Sequence, residues 1–276
     1  MPRTSRKTFA LALGGGGARS LGQIAVFEAL DELGVRPVAI AGTSFGALVG
    51  AAYAAGMPAK AIRRIVIDLA HDRGAIYTRL MSARARSLSQ LFSAPFGNPL
   101  LLDAEKFCAQ FLPETVPDDF AALPIPLTVI AADLYGRSEA AFSSGPLRPA
   151  VAASMAIPGL LRPVEIGGRI LVDGAAVNPL PFENLRGRAD IVVAIDSSYG
   201  PTEARGVPEP WDCLFATLQV MTNAIIAEKL KHGAPDIMLV PNVGTFKLFD
   251  FFLASSILRA ADPIKAEVKE KLSAVL

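Results

Sequence analysis

A chain of 276 residues that is 51% hydrophobic and 19% charged has too much apolar mass for a disordered segment, and its length suits one generous α/β domain. Lys and Arg number 27 against 26 Asp and Glu, so no net field draws it to nucleic acid or to an anionic bilayer, and any membrane contact must be local. Cys108 and Cys213 stand far apart and outside metal-ligand spacing, which argues against a disulfide framework or a zinc site and for two buried thiols.

Arg3, Arg6 and Lys7 precede an apolar run that ends after Leu13 in four glycines, too short for the core of a signal peptide. The same run reads as a first strand, 8–13. After Gly17 a helix carries Leu21, Ile24, Phe27, Leu30 and Leu33 toward a core, leaves Glu28, Asp31 and Glu32 off that face, and ends at Gly34. A second strand, 37–41, runs into Gly42-Thr43-Ser44-Phe45-Gly46 and another helix. Residues 37–59 carry no charge, and Gly46 and Gly50 have the spacing of packed transmembrane helices, yet the glycines and hydroxyls make the stretch too weakly hydrophobic.

Residues 59–123 differ in character, with Arg63, Arg64, Arg73, Arg79, Arg84 and Arg86 on a helical stretch followed by four prolines, and read as a helical insertion or lid. Further strands are legible at 126–132, 170–172, 191–195 and 236–240, so the sheet has at least six members. A short helix falls within 149–163, ending near Pro158-Gly159, and Asp262-Pro263 opens a last helix to Leu272. Strand, glycine turn and helix in repetition describe a parallel sheet covered by helices.

Gly42-x-Ser44-x-Gly46 stands where a strand meets a helix, the context in which this spacing marks a nucleophile elbow. Such a turn strains the serine backbone and projects Oγ, and a side chain at Gly42 or Gly46 would collide with the neighbouring strand and helix. A small-residue helix packed on a sheet is the bland alternative. Gly14 to Gly17 also join a strand to a helix, so their amides form an anion site. A dinucleotide fingerprint would need an acid at the end of the second strand, and a phosphate loop would need Gly-Lys-Ser or Gly-Lys-Thr; neither is present. An oxyanion hole fits better, one such donor being worth about 3 kcal/mol in a transition state.

A serine needs a base, and the chain has only His71 and His232. His71 lies in the arginine-bearing helix, and His232 lies at a helix C-terminus, where histidine is favourable for structural reasons alone. Asp173 closes the strand 170–172 before Gly174, among Leu171, Val172, Ala176 and Val177, whose desolvation raises a carboxylate's pKa. An aspartate there could equally cap a turn through its own backbone.

In combination and order, Gly15-Gly16-Gly17-Ala18-Arg19, Gly42-Thr43-Ser44-Phe45-Gly46, Ala153-Ser154-Met155-Ala156-Ile157-Pro158-Gly159 and Asp173-Gly174-Ala175-Ala176-Val177-Asn178-Pro179-Leu180-Pro181 resemble the patatin-like phospholipase family. The likeness covers 11–57 and 123–182 well and 236–242 weakly. It implies a three-layer α/β/α fold with a mainly parallel central sheet, one domain over 1–276 with the lid at about 59–123, and fatty acyl ester hydrolysis through a Ser-Asp dyad without metal or cofactor. Carried over by motif, Ser44 is the nucleophile, Asp173 the base, and Gly15, Gly16 and Gly17 the oxyanion hole with Arg19 at its rim. Gly42, Gly46 and Gly174 support the motifs. Ser20 stands where the family usually has another glycine, and Gln23 where many members carry histidine.

The expected protein is therefore a serine acyl hydrolase of phospholipids or related lipid esters. Its expected location is cytoplasmic, with membrane contact at most peripheral, no nucleic-acid partner and an oligomeric state the sequence leaves open. Three alternatives stand beside it: acyl transfer to an alcohol, a Ser44-Asp173-His232 triad in α/β-hydrolase order, and a lipid-binding regulator without turnover. The triad is disfavoured because only one strand precedes the one leading into Ser44. An acyl chain would lie in an apolar groove roofed by the lid and by Phe246, Phe249, Phe251 and Phe252, although aromatics so spaced are also common in cores. Arg79, Arg84 and Arg86 would either hold the protein loosely on anionic bilayers or form a solvated face.

Overall fold

The computed structural model describes residues 7–72, 74, 102–200 and 207–276. Eight strands form one sheet: β1 (Phe9–Leu13), β2 (Ala39–Thr43), β3 (Leu127–Asp133), β4 (Ser138–Phe142), β5 (Val164–Ile166), β6 (Arg169–Asp173), β7 (Ile191–Ile195) and β8 (Ile237–Leu239). β8, β7, β1, β2 and β3 pair in parallel, while β4, β5 and β6 join antiparallel. β1, β2 and β7 are buried at every residue, as strands covered on both faces must be, and so read as continuous apolar runs. One face is small: Ala10, Ala12, Ala39 and Ala41 meet Leu180, Phe182, Leu185 and Ile226. The other face holds the main core, where Leu11, Leu13 and Ile40 meet the helices α1 (Gln23–Leu33) and α2 (Phe45–Ala54).

β3 is the strand on which the site is assembled. Along one edge it pairs with β4 from Val129 to Asp133. Its other edge is shared: β2 pairs in parallel up to Thr43 opposite Ile130, and β6 pairs antiparallel from Asp173 opposite Ala131. The C-terminal ends of β2 and β6 thus meet head-on at the step between Ile130 and Ala131.

The remaining helices are α3 (Ala59–His71), α4 (Ala104–Phe111), α5 (Leu147–Ser154), α6 (Pro210–Lys231), α7 (Ala254–Ala261) and α8 (Ile264–Ser273). Several sequence expectations need correction. β2 runs two residues further than 41, so the turn contracts onto Ser44 itself. The chain after Gly16 forms a 3-10 turn, Gly17–Gly22, before α1 begins; Gly34 ends α1 in the left-handed region at φ 66°. Glu28 is buried rather than off the packed face, because α3 and α8 flank α1. Its carboxylate is met by Arg63 at 2.9 Å and by Lys265, and Arg63 also grips Asp262 at 2.9 Å and 3.1 Å. Arg63 is therefore a tie between α3 and its neighbours and not a free lid cation. Cys108 is buried, its thiol pushed up to about 12 by desolvation, but Cys213 is exposed on α6. Arg73, Arg79, Arg84, Arg86, Pro95 and Pro99 lie outside the described residues. No described helix is long and apolar enough to cross a membrane.

Candidate active site

Between β2 and α2 the chain reverses through Ser44 alone, whose φ of 56° and ψ of −132° are strained for a residue with a side chain. Two contacts hold it there. The Ser44 N–H donates to Ser154 Oγ at 2.8 Å, and that hydroxyl donates to the Ile130 carbonyl at 2.5 Å. Close approach does the rest: a Cβ on Gly42 would lie 2.7 Å from Ala47 Cα, and one on Gly46 would lie 2.6 Å from the Leu13 and Gly14 oxygens. Both collisions expected from the sequence are thus present.

Ser44 Oγ donates to Asp173 Oδ2 at 2.6 Å. Asp173 ends β6, its N–H bonded to the Ala156 carbonyl at 3.0 Å, and its Oδ1 accepts the Ala175 N–H at 2.8 Å to cap the turn Gly174–Ala176. One Asp173 oxygen thus caps the turn, as the bland reading expects, and the other faces the serine. Gly174 packs onto the Ile130 carbonyl, where a Cβ would come within 2.2 Å. Burial raises the Asp173 carboxyl to about 6, although the hydrogen bonds from Ser44 and Ala175 pull it down.

In the glycine loop, Gly14 and Gly15 donate their N–H groups to the Ile195 and Pro179 carbonyls, each at 3.0 Å. The Gly15 amide is therefore committed to structure, which corrects its expected place among the oxyanion donors. Gly16 and Gly17 make no such bond among the described residues. Ser20 and Gln23, the two departures from the family pattern, converge on one atom. Ser20 Oγ donates to the Gly14 carbonyl at 3.4 Å, and Gln23 Nε2 donates to it at 2.7 Å and to Ser197 Oγ at 3.3 Å.

Arg19 is buried, its Nε and Nη2 donating to the Ser197 and Ser198 carbonyls at 3.2 Å and 3.1 Å, and its Nη1 reaching Gln219 of α6 at 3.4 Å. Desolvation lowers its pKa to about 10 against the pull of Asp196 and Asp250. Arg19 thus braces the end of β7 and α6 while reaching the cavity wall.

Ser44, Asp173, Gly15, Gly16, Gly17 and Arg19 all line one cavity of about 140 Å³. Its remaining wall includes Phe215, Leu218, Met221 and Ile225 of α6, none of which sequence reasoning singled out. Neither histidine lines it. His71 Nε2 is 3.5 Å from Ser255 Oγ at the end of α3, and the exposed His232 is 3.3 Å from Glu228. Among the described residues, no group of three His, Cys, Asp or Glu side chains could hold a metal ion.

The family model described as patatin-like phospholipase matches residues 11–186, more than half of the chain, taking in the glycine loop, the Ser44 turn and Asp173. The chain belongs to the patatin-like phospholipase family. An uncharacterized NTE family protein of Mycobacterium tuberculosis is 37% identical over 202 residues, which are 72% of this chain and 52% of that protein. Patatin-like phospholipase domain-containing protein 7 of Rattus norvegicus is 30% identical over 190 residues, 68% of this chain and 13% of its own length. The lysophospholipase nte1 of Aspergillus niger is 29% identical over 196 residues, 70% of this chain and 12% of its own. The chain thus spans about half the length of the mycobacterial relative and less of the other two. Among solved structures, VipD from Legionella pneumophila shares the fold, with a TM-score of 0.51 at 14% identity over 96% of this chain and 67% of that one.

In this patatin-like chain the Ser44–Asp173 pair has a polar footing. Thr43 Oγ1 donates to the Asn178 carbonyl at 2.8 Å, and Asn178 Nδ2 donates to Glu139 at 2.7 Å and Asn184 at 3.0 Å. Lys229 of α6 reaches the Asn178 side chain, the Leu180 carbonyl at 2.9 Å and Glu183 at 2.6 Å. The helix roofing the patatin-like site is thereby pinned beneath it.

Proposed function

We propose that this chain is a serine acyl hydrolase that cleaves fatty acyl esters of phospholipids or related lipids through a Ser44–Asp173 dyad. The observation that carries this reading is the 2.6 Å hydrogen bond from Ser44 Oγ to the buried Asp173 carboxylate. With its pKa raised to about 6, Asp173 is ionised at neutral pH yet a better proton acceptor than an exposed carboxylate. Ser44 Oγ attacks the ester carbonyl as Asp173 takes its proton, and the N–H groups of Gly16 and Gly17 receive the oxyanion. The C–O bond to the leaving alcohol breaks as Asp173 returns the proton to it. Water then enters, gives a proton to Asp173 and attacks the acyl-serine, which releases the carboxylic acid and restores Ser44. Family membership supports the lipid ester as substrate, as do the apolar α6 side chains over the site.

A fluorophosphonate should label the wild-type chain at Ser44 and leave folded Ser44→Ala unlabelled. Fatty acid release from phospholipid vesicles and from graded p-nitrophenyl esters should vanish with it. Labelling that survives in Ser44→Ala would overturn the reading.

A further inference from the structure

A second cavity, of about 510 Å³, takes no part in the chemistry above, and every described residue lining it is apolar. Its walls come from α2 through Leu48 and Ala52, from α3 through Val66 and Leu69, and from α4 through Phe107 and Phe111. Protein interiors normally close such space, and a cavity of this size falls in the range that holds a ligand. A polar group placed here would meet no N–H or O–H side chain among the described lining residues, so an apolar occupant suits it best.

Four stretches of chain line both cavities. Ser44 faces the smaller one and Phe45 the larger; Arg19 and Leu21, Pro158 and Leu160, and Leu248 and Phe249 divide in the same way. The two spaces therefore share these four stretches of chain as walls. On the larger cavity's wall Phe45, the residue next to Ser44, packs against Phe251 with ring centroids 4.6 Å apart and planes tilted by 38°. Phe249, Phe251 and Phe252 line the larger cavity, so three of the four aromatics noted in the sequence belong to its wall, while Phe246 packs against the core.

We propose that Phe45 and Phe251 determine acyl chain length: the tail of an ester whose carbonyl sits at Ser44 passes this pair into the 510 Å³ cavity. The chemistry at Ser44 rests on the hydrolase reading; the binding of the tail does not. A tail short enough to stay on the near side gains nothing from the cavity. Each further methylene that enters it raises kcat/KM by up to about fourfold, the worth of burying one CH₂, until the cavity is full.

The test uses p-nitrophenyl esters from acetate to palmitate, with Ala52→Phe and Leu69→Trp to fill the cavity and Phe251→Ala to open the wall. A second measurement titrates laurate into Ser44→Ala and into Ser44→Ala with Ala52→Phe. The filling variants should reach their plateau at shorter chains and lower the laurate-to-butyrate ratio of kcat/KM by about tenfold or more. Phe251→Ala should move the optimum to longer chains, and laurate should bind Ser44→Ala and bind the filled protein at least about tenfold more weakly. An unchanged chain-length profile in the folded variants, or no laurate binding to Ser44→Ala, overturns the proposal. Laurate binding that is lost on filling, in a protein that turns over no ester at all, would sink the hydrolase reading and leave the tail site standing.

Discussion

Ser154 Oγ accepts the Ser44 N–H and donates its own O–H to the Ile130 carbonyl, so one hydroxyl joins the strained turn to the strand beneath it. Ser154→Ala leaves both backbone groups buried without partners, at a cost of about 1–3 kcal/mol. We expect a lower melting temperature and slower fluorophosphonate labelling of Ser44, with labelling still confined to that residue. Labelling at the wild-type rate would show that the bond does not hold the turn.

Asp173 as the proposed base should make activity and stability respond to pH in opposite directions. Its carboxyl is raised from an ordinary 3.8 to about 6, so the folded chain holds this proton more tightly than the unfolded one does. Turnover should fall as pH drops through about 6, where the base becomes protonated. Stability from this group should decline as pH rises from about 4 to about 6 and stay level above that, a cost of about 3 kcal/mol. Asp173→Asn can still cap Ala175 with its oxygen and donate its amide to Ser44. That variant should lose roughly 100-fold to 10,000-fold in turnover. Denaturant melts should show it as stable as wild type below pH 4 and more stable at pH 8; a variant weaker at pH 8 contradicts the assignment.

Neither histidine borders the cavity that Ser44 and Asp173 line. His71→Ala and His232→Ala should therefore keep wild-type turnover and pH profile. A loss on the scale of Ser44→Ala in either folded variant would mean that a proton-sharing triad operates, since such a unit fails when any member is removed.

Arg63 joins three elements through Glu28 and Asp262, and Lys265 remains on both acids when it is replaced. Arg63→Leu should cost about 1.5–3 kcal/mol in denaturant unfolding, the worth of hydrogen bonds to charged groups. Vesicle binding should not change. Weaker vesicle binding with undiminished stability would instead make Arg63 a membrane-contacting arginine.

Lys229 is held below its usual pKa by burial, with Glu183 pulling the other way. Lys229→Met strips the Asn178 side chain and the Leu180 carbonyl of a donor and frees the end of α6. Stability should fall by about 2 kcal/mol, and hydrogen exchange across the end of α6 should accelerate. Unchanged exchange there would show that α6 is held by its apolar contacts alone.

What the sequence made legible was local. Gly42-x-Ser44-x-Gly46 and Asp173-Gly174 carry their geometry in adjacent residues, because a sharp turn demands glycine wherever backbones touch. β4 escaped notice because Ser-Glu-Ala-Ala-Phe is a half-exposed edge without clean alternation, and β5 because three residues set no period. The commitment of the Gly15 amide depends on Pro179, and the burial of Glu28 on Arg63 and Lys265, partners that folding brings from distant parts of the chain. Ser154 stood within a block that carries the family resemblance but had no role of its own there; only its placement under Ser44 gives it one. Cys213 lies on α6, whose outer face remains open to solvent.

The head-on meeting of β2 and β6 on the edge of β3 means that Ser44 and Asp173 are spaced by one peptide step, Ile130 to Ala131, and not by the 128 residues between them in the chain. Loops between β3 and β6 can grow or shrink without moving either group. Slippage cannot be absorbed in this way: sliding β6 by one residue would turn Asp173 to the other face of the sheet, and sliding it by two would carry the carboxylate roughly 7 Å along β3. Under the proposed chemistry turnover doubles as a gauge of strand alignment, and a misfolded population with a shifted β6 would be compact, rich in sheet and without activity.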